Sequence, residues 1–317
     1  MGKPGEGALL GITSGAIWGV MFVIGKSALD RVDAFHLTTI RYGIAGAALL
    51  AILAAVEGWS ALRLEGRGRR LWLVGSLGFA GFNLLAFTGL DHARPESAAL
   101  IVAFAPLATA LVLWLRTGVP PSHGVLVTFA IALIGVFFVV THGDPASIVR
   151  GSVGWGDGLV LAGVVSFVFY TLGAAEFRDF SPLRYTALTA GLGWLTVSAA
   201  TVAVTLSGWK PLPSAADVWE VTPQIAYITV LGAVVAVLAW NAAAGSIGPQ
   251  NTALFVNLVP VVAFAVQIVR GYRPAALEIA GAAVTILALV AANLLARPRR
   301  QRPEVVPQFE EELANAA

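Results

Sequence analysis

The sequence has no cysteine and little charge. With no Cys among 317 residues, a disulfide framework, thiol chemistry and a cysteine-ligated metal are all excluded. Charged residues make up 12% of the chain, where soluble domains carry about 25%. The formal charge is only +2, and no basic stripe with interleaved aromatics appears, so a nucleic-acid partner is not expected. The four histidines, His36, His92, His123 and His142, fall at the ends of apolar runs or between them. Neither H-E-x-x-H nor G-x-S-x-G occurs. The stretch Gly11-Ile-Thr-Ser-Gly15 resembles a nucleophile turn only superficially, because it lies inside an apolar run with no histidine nearby. No Walker A stretch is present, and no ring of like charges or filter-like carbonyl run suggests a channel. No enzyme activity, cofactor or metal is expected.

What the chain has is apolar length. Hydrophobic residues are 57% of the sequence, against about 45–50% for soluble domains. Ten apolar segments can be marked, at roughly 8–27, 35–56, 71–90, 95–116, 123–141, 157–176, 183–206, 223–244, 250–270 and 276–296. Each approaches the ~20 residues needed to cross a hydrocarbon core of about 30 Å. The N-terminal run carries one lysine and no A-x-A-like cleavage site, so it reads as a retained first helix. The tail 297–317 starts basic and ends acidic and is expected to be disordered.

Charge counting orients the chain. With both termini inside, Lys26, Arg31, Arg94, Arg150, Lys210, Arg270 and Arg273 lie outside and Arg41 lies in the membrane. The other twelve of the 20 Lys and Arg lie inside, as the positive-inside rule asks. The expected location is therefore the inner (plasma) membrane, with cytoplasmic termini.

The segments also repeat. Residues 94–116 read RPESAALIVAFAPLATALVLWLR, and 248–270 read GPQNTALFVNLVPVVAFAVQIVR. A shift of 154 carries Pro95, Ala99, Leu100, Val102, Pro106 and Arg116 onto Pro249, Ala253, Leu254, Val256, Pro260 and Arg270. The same shift carries Leu77, Gly78 and Leu84 onto Leu231, Gly232 and Leu238. A shift of 152 carries Leu9, Gly11 and Trp18 onto Leu161, Gly163 and Tyr170. Two halves of five spans each must lie inverted to one another. The expected architecture is an all-α integral membrane protein of ten transmembrane helices in two inverted five-helix repeats, 8–142 and 153–296. Proline-interrupted spans in matching places of such halves point to a transporter's midplane binding site.

In these features the sequence resembles the EamA-type branch of the drug/metabolite transporter superfamily. The motifs are Trp18-Gly19 in span one, Arg41-Tyr42 in span two, a glycine-rich span three, and Ser97 through Pro106 in span four. Thr252-Ala253-Leu254 with Pro260 answers in span nine. The resemblance implies a central cavity lined by spans one, three, four, six, eight and nine, and export of small metabolites, often amino acids. One departure is plain. The Gly-Glu that family members commonly carry after spans four and nine is replaced by Arg116-Thr117-Gly118 and Arg270-Gly271-Tyr272.

The residues expected at the substrate cavity are Trp18, Asn83, Phe104, Pro106, Tyr170, Trp240, Asn257 and Pro260. Mid-span prolines free a carbonyl and kink the helix, which serves either a site or mere packing. Buried amides such as Asn83, Asn241 and Asn257 need partners, from protein or from a wet cavity. Arg41 has two readings, a structural charge paired with Asp30, Asp33 or Glu96, or a ligand for a substrate carboxylate. No Asp or Glu lies deep in a span, whereas proton-coupled carriers run such relays through the membrane; a facilitator or exchanger is expected. Aromatic walls and one arginine suit amino acids first and drug-like amphiphiles second. The expected partners are a small-molecule substrate and the bilayer, with a homodimer neither required nor excluded.

Overall fold

The computed structural model describes residues 4–141, 143–144, 154–247, 252 and 254–295; the tail 297–317 and the junction between the two halves fall outside them. The described elements are all helices. We number the ten segments α1 to α10. The helix α1 is Pro4–Leu29 and α2 is Ala34–Glu57. Asp33 starts α2, its carboxylate accepting from the Phe35 and His36 amides, which satisfies two of the donors a helix start leaves open. Gly58, at φ 84°, ends it. Next, α3 runs Gly68–Asp91 with a π segment, Ser76–Gly81, in its middle. Helix α4 is broken into Pro95–Val102 and Ala105–Thr117, bent by 42°. Then come α5 (His123–Val140), α6 (Trp155–Phe177) and α7 (Pro182–Leu206). A surface helix, Ala215–Glu220, leads into α8, which spans 222–247 with a π segment at Tyr227–Val235. Finally, α9 is a 3-10 turn, Leu254–Asn257, followed by Leu258–Val269, and α10 is Ala276–Leu295.

Seven of these are long and apolar enough to cross a membrane outright, α4 qualifies as a bent pair, and α9 and α10 are shorter apolar helices. Their outer faces carry large apolar side chains such as Leu9, Leu115, Ile134, Val202, Leu206 and Leu287. In water such a surface would aggregate; in lipid it is the solvated one. The chain is a multispan membrane protein.

The packing follows the sequence repeat. Helix α2 lies against α7, and α5 against α10. Helix α1 packs on α8 and α9, and α6 packs on α3 and α4. Exchanging each helix for its counterpart in the other half maps this set of pairs onto itself, which is what a pseudo-twofold arrangement of two five-helix units produces. The closest crossings need glycine. A Cβ on Gly135 of α5 would sit 2.5 Å from the Gly281 carbonyl of α10, and one on Gly281 would sit 2.6 Å from the Gly135 carbonyl. Irregular backbone recurs symmetrically too. The shift of 154 places the π segment of α3 at 230–235, inside that of α8, and places the break of α4 at 257–258, where the 3-10 turn of α9 hands over to helix.

Candidate functional site

The two prolines act differently from mid-helix kinks. Pro106 sits in the first turn of the second segment of α4, and Pro260 in the first turn of Leu258–Val269. Proline is tolerated there because that turn's N–H has no intrahelical partner to lose. The cost falls on the preceding turn: Val102 and Val256, four residues back, cannot receive a bond from these nitrogens. Each helix therefore ends and restarts just before its proline. Asn257 occupies the hand-over point in α9 and is buried.

Helices α1, α2, α3 and α8 meet around Arg41. Its side chain is buried, and its partners are neutral. Nε donates to the Ile228 carbonyl at 3.0 Å, Nη1 to Asn83 Oδ1 at 3.1 Å, and Nη2 to Met21 Sδ at 3.2 Å. The guanidinium carbon lies 5.0 Å from the Tyr42 ring centre and 5.5 Å from that of Phe87, within cation–π range. Asn83 is fixed in turn by its Nδ2 bond to Phe79 O at 3.0 Å and by the Tyr42 hydroxyl at 3.4 Å. The expected carboxylate partners are engaged elsewhere. Asp33 caps α2 and pairs with His36, Glu96 pairs with Arg94, and Asp30 lines a cavity at the end of the bundle. Among the described residues no ion pair includes Arg41.

Two of the carbonyl partners come from the π segment of α8. Its wide turns leave backbone oxygens facing neighbouring helices: Ile228 O takes Arg41, and Gly232 O takes the Trp18 indole N–H at 3.0 Å. Trp18 also packs against Trp240, with ring centres 5.2 Å apart. Gly232 is close to all of this. A Cβ there would be 2.7 Å from Met21 Sδ and 3.7 Å from Arg41 Nη2. Single π turns of this kind are frequent at functional sites.

The structure thus brings Trp18, Trp240, Asn83 and Arg41 into one cluster. Tyr170 stands one ring away: its ring centre is 5.4 Å from Phe79, which is itself 5.2 Å from Tyr42. Tyr170 is stacked on Tyr185 and seated over Gly78. Phe104 does not join them. It packs with Leu107, Ala132 and Leu289, against α5 and α10. Pro106 and Pro260 lie at the helix breaks rather than at Arg41. Asn241, next to Trp240, leaves its Nδ2 without a hydrogen-bond partner.

Sequence reasoning missed a second polar cluster. Glu96 and Glu278 read as residues near span ends, but both are fully buried. Arg94 reaches Glu96 at 3.0 Å and also bonds Glu278, Tyr272 and Val139 O. Tyr272 donates to Glu278, and Gln267 donates to Glu96 at 3.3 Å. Burial and the Glu278 carboxylate beside it push the Tyr272 phenol up to about 12, so it remains a donor. The cluster ties α4 to α9 and α10 at one end of the bundle. Two cavities flank it, of about 320 Å³ and 430 Å³, both lined by Lys26 and Arg94. Nothing in the sequence places Glu96 next to Glu278, because 182 residues and the repeat boundary separate them.

The profile of the EamA-like transporter family matches residues 5–141 and 154–294, once for each half. The chain belongs to the EamA-like transporter family. Two relatives from Bacillus subtilis (strain 168) carry transporter names. The uncharacterized transporter YrdR is 29% identical over 299 residues, covering 92% of each chain. The uncharacterized transporter YyaM is 30% identical over 278 residues, covering 87% of this chain and 89% of its own. A crystal structure covering 94% of this chain and 100% of its own superposes with a TM-score of 0.63 at 22% identity, a likeness of fold. The two matched segments of this transporter coincide with the two sets of five helices described above, and the drug/metabolite transporter superfamily is the grouping with which its features agree.

Proposed function

We propose that this transporter exports small organic metabolites, amino acids foremost, across the inner membrane by alternating access. Its two repeats are inverted, both termini are cytoplasmic, and the substrate site lies where α1, α2, α3 and α8 meet. The observation that carries the reading is the coincidence of irregular backbone and polar chemistry. Helices α3 and α8 carry π segments at matching positions; Arg41 bridges them through Asn83 and Ile228, and Trp18 and Trp240 gather at the α8 segment beside it. Inverted-repeat carriers bind substrate at such interrupted helices, and alternating access needs helices with ready-made joints, which the breaks of α4 and α9 supply. The buried Arg94 cluster would close the outer end in this conformation. Among the described residues no carboxylate pairs with Arg41, which favours a facilitator or exchanger over proton coupling. A second reading, efflux of apolar amphiphiles, draws on the Trp18–Trp240 pair alone.

The test is counterflow in proteoliposomes holding the purified protein, over a panel from small and aromatic amino acids to nucleosides and a lipophilic cation. Trp18→Ala runs in parallel. Uptake of amino acids, reduced in the variant and indifferent to a pH gradient, is the expected result. Uptake of the lipophilic cation alone would replace it with the second reading, and uptake that requires a pH gradient would overturn the facilitator assignment.

A further inference from the structure

Arg41 is a buried positive charge two turns into α2, held by a carbonyl, an amide oxygen and a thioether. Neutral dipoles offset part of its desolvation, but no counter-charge completes the site. The weakest of the three partners is Met21 Sδ, since a thioether is a poor acceptor. It occupies the Nη2 position at which a carboxylate would form a charge-assisted bond, and the three bonds together use only three of the five N–H donors. Met21 is also the partner easiest to displace, being unbranched and adaptable in its rotamers. Across Gly232 from it stand the Trp18 indole and its neighbour Trp240.

We infer that a carboxylate of the transported molecule docks on Arg41 by displacing Met21, with the rest of the molecule lying against Trp18 and Trp240. This rests on the transport reading above and adds to it the group that is recognised and the side chain that gates it. Asn83 and the Ile228 carbonyl act as positioning groups: they hold the guanidinium plane so that its Nη edge faces Met21. Asp33 is engaged at the α2 cap and with His36, and Glu96 with Arg94, so among the described residues no carboxylate is paired with Arg41 to compete with the docked anion. An ester or amide of the same molecule would find a buried cation and no means of neutralising it.

The chain contains two methionines, Met1 and Met21, so labelling with methyl-¹³C methionine gives two signals, and Met21→Leu assigns the inner one. The probes are L-phenylalanine, L-leucine and benzoate, each against its amide, titrated into protein in nanodiscs. At least one acid is expected to shift the Met21 methyl resonance, with its amide about tenfold or more weaker in half-saturation. Arg41→Gln should abolish the shift, and Arg41→Lys, which keeps the charge but loses the fork, should weaken it. The unliganded Met21 signal of each variant reports whether the site is still folded. An equal shift with amides, a shift surviving in Arg41→Gln, or silence with every acid would overturn the inference. Silence here together with counterflow in liposomes would leave the transporter standing without this site. A shift without counterflow would leave the site and remove the transport reading.

Discussion

The two halves share a scaffold and differ in chemistry. Ser14 of α1 donates to the Ala236 carbonyl of α8 at 2.9 Å, and Ser166, 152 residues on, donates from α6 to the Leu77 carbonyl of α3 at 2.8 Å. Trp18 and Tyr170, related by the same shift, both lie against a π segment. Then the likeness stops. The N-caps of α2 and α7, Asp33 and Ser181, lie 148 apart, and that shift carries Arg41 and Tyr42 onto Thr189 and Ala190; the shift of 154 carries Asn83 onto Val237. In the first half that set of positions holds a buried cation with its amide. In the second it holds a helix crossing: a Cβ on Gly75 would run into the Thr189 carbonyl, and one on Gly193, a turn further along α7, would lie 2.5 Å from the Gly75 carbonyl. The symmetric residues build the frame; under the proposed transport reading, the asymmetric ones give it something to recognise.

The sharpest way to break this comparison is to mutate the unlike positions. Arg41→Met should reduce amino-acid counterflow about 100-fold or more, the scale on which a lost buried charge partner costs binding. It should leave thermal stability close to wild type, since it removes an uncompensated buried charge. At the helix crossing beside the matching place, Gly193→Ala should do the reverse, destabilising by about 1–3 kcal/mol through overpacking while the folded fraction still transports. Counterflow and thermal unfolding measured on both variants decide it. If Arg41→Met unfolds the protein and Gly193→Ala abolishes transport in folded protein, the division of labour is wrong.

Next in size is the cluster that spans the halves. Glu278→Ala leaves Arg94 with Glu96 alone. The expected loss is about 3 kcal/mol, at the low end for breaking a buried pair, because the Arg94 side chain is still 22% exposed. It should also raise labelling of a cysteine placed at Val23, a buried residue on the wall of the 430 Å³ cavity, relative to one at exposed Ser207. The absence of native cysteine makes that comparison clean. Unchanged labelling would show that the cluster braces the fold without closing that end.

A smaller effect compares the aromatic counterparts. Trp18→Phe loses the bond to Gly232 O but keeps an apolar ring, and should raise the half-saturation of counterflow several-fold, as loss of one hydrogen bond worth about 1 kcal/mol does. Tyr170→Phe should leave transport unchanged, because it keeps the ring that packs on Phe79, Phe167 and Tyr185 and removes only the hydroxyl, which bonds Thr186 and Thr189 rather than the Arg41 cluster.

Much of the frame was legible in the sequence. Apolar runs marked ten helices, and the register shift found the matched prolines and the Trp18–Tyr170 pair, since these depend on composition and order alone. What the prolines do was half legible: the ring forbids a bond, but whether a helix bends or restarts is set by the residues packed around it. The packing of Phe104 against α5 and α10 was not legible, because an aromatic two residues before a proline says nothing about which neighbours that side of the helix meets. The partners of Arg41 and the meeting of Glu96 with Glu278 were not legible, because both are contacts between spans far apart in the chain. The π segments escaped for a related reason. Glycines in α3 predict close packing, and nothing in Leu77 to Gly81 or in 227–235 announces nearly one extra residue per turn.

The smallest effect lies at the opposite end of the bundle from Arg94, and it completes the contrast in how charge is used. There Arg67 bonds Asp179 and Glu65 on side chains open to solvent, and the more covered Arg184 also bonds Glu65. The hydrogen bond from Arg67 holds the Asp179 carboxyl down at about 2, from an ordinary 3.8. A depressed carboxylate contributes stability that is present above its unfolded value and is lost as pH falls through its folded one. The contribution of Asp179 is therefore complete above pH 3.8 and fades toward pH 2. Exposed pairs are screened by water and salt and contribute little, so Asp179→Asn should shift the unfolding midpoint at neutral pH only slightly, with the gap from wild type closing as the medium is acidified through that window. A large shift at neutral pH would mean that this end too is closed by its ion pairs, and that the buried Arg94 cluster is not alone in holding the two halves together.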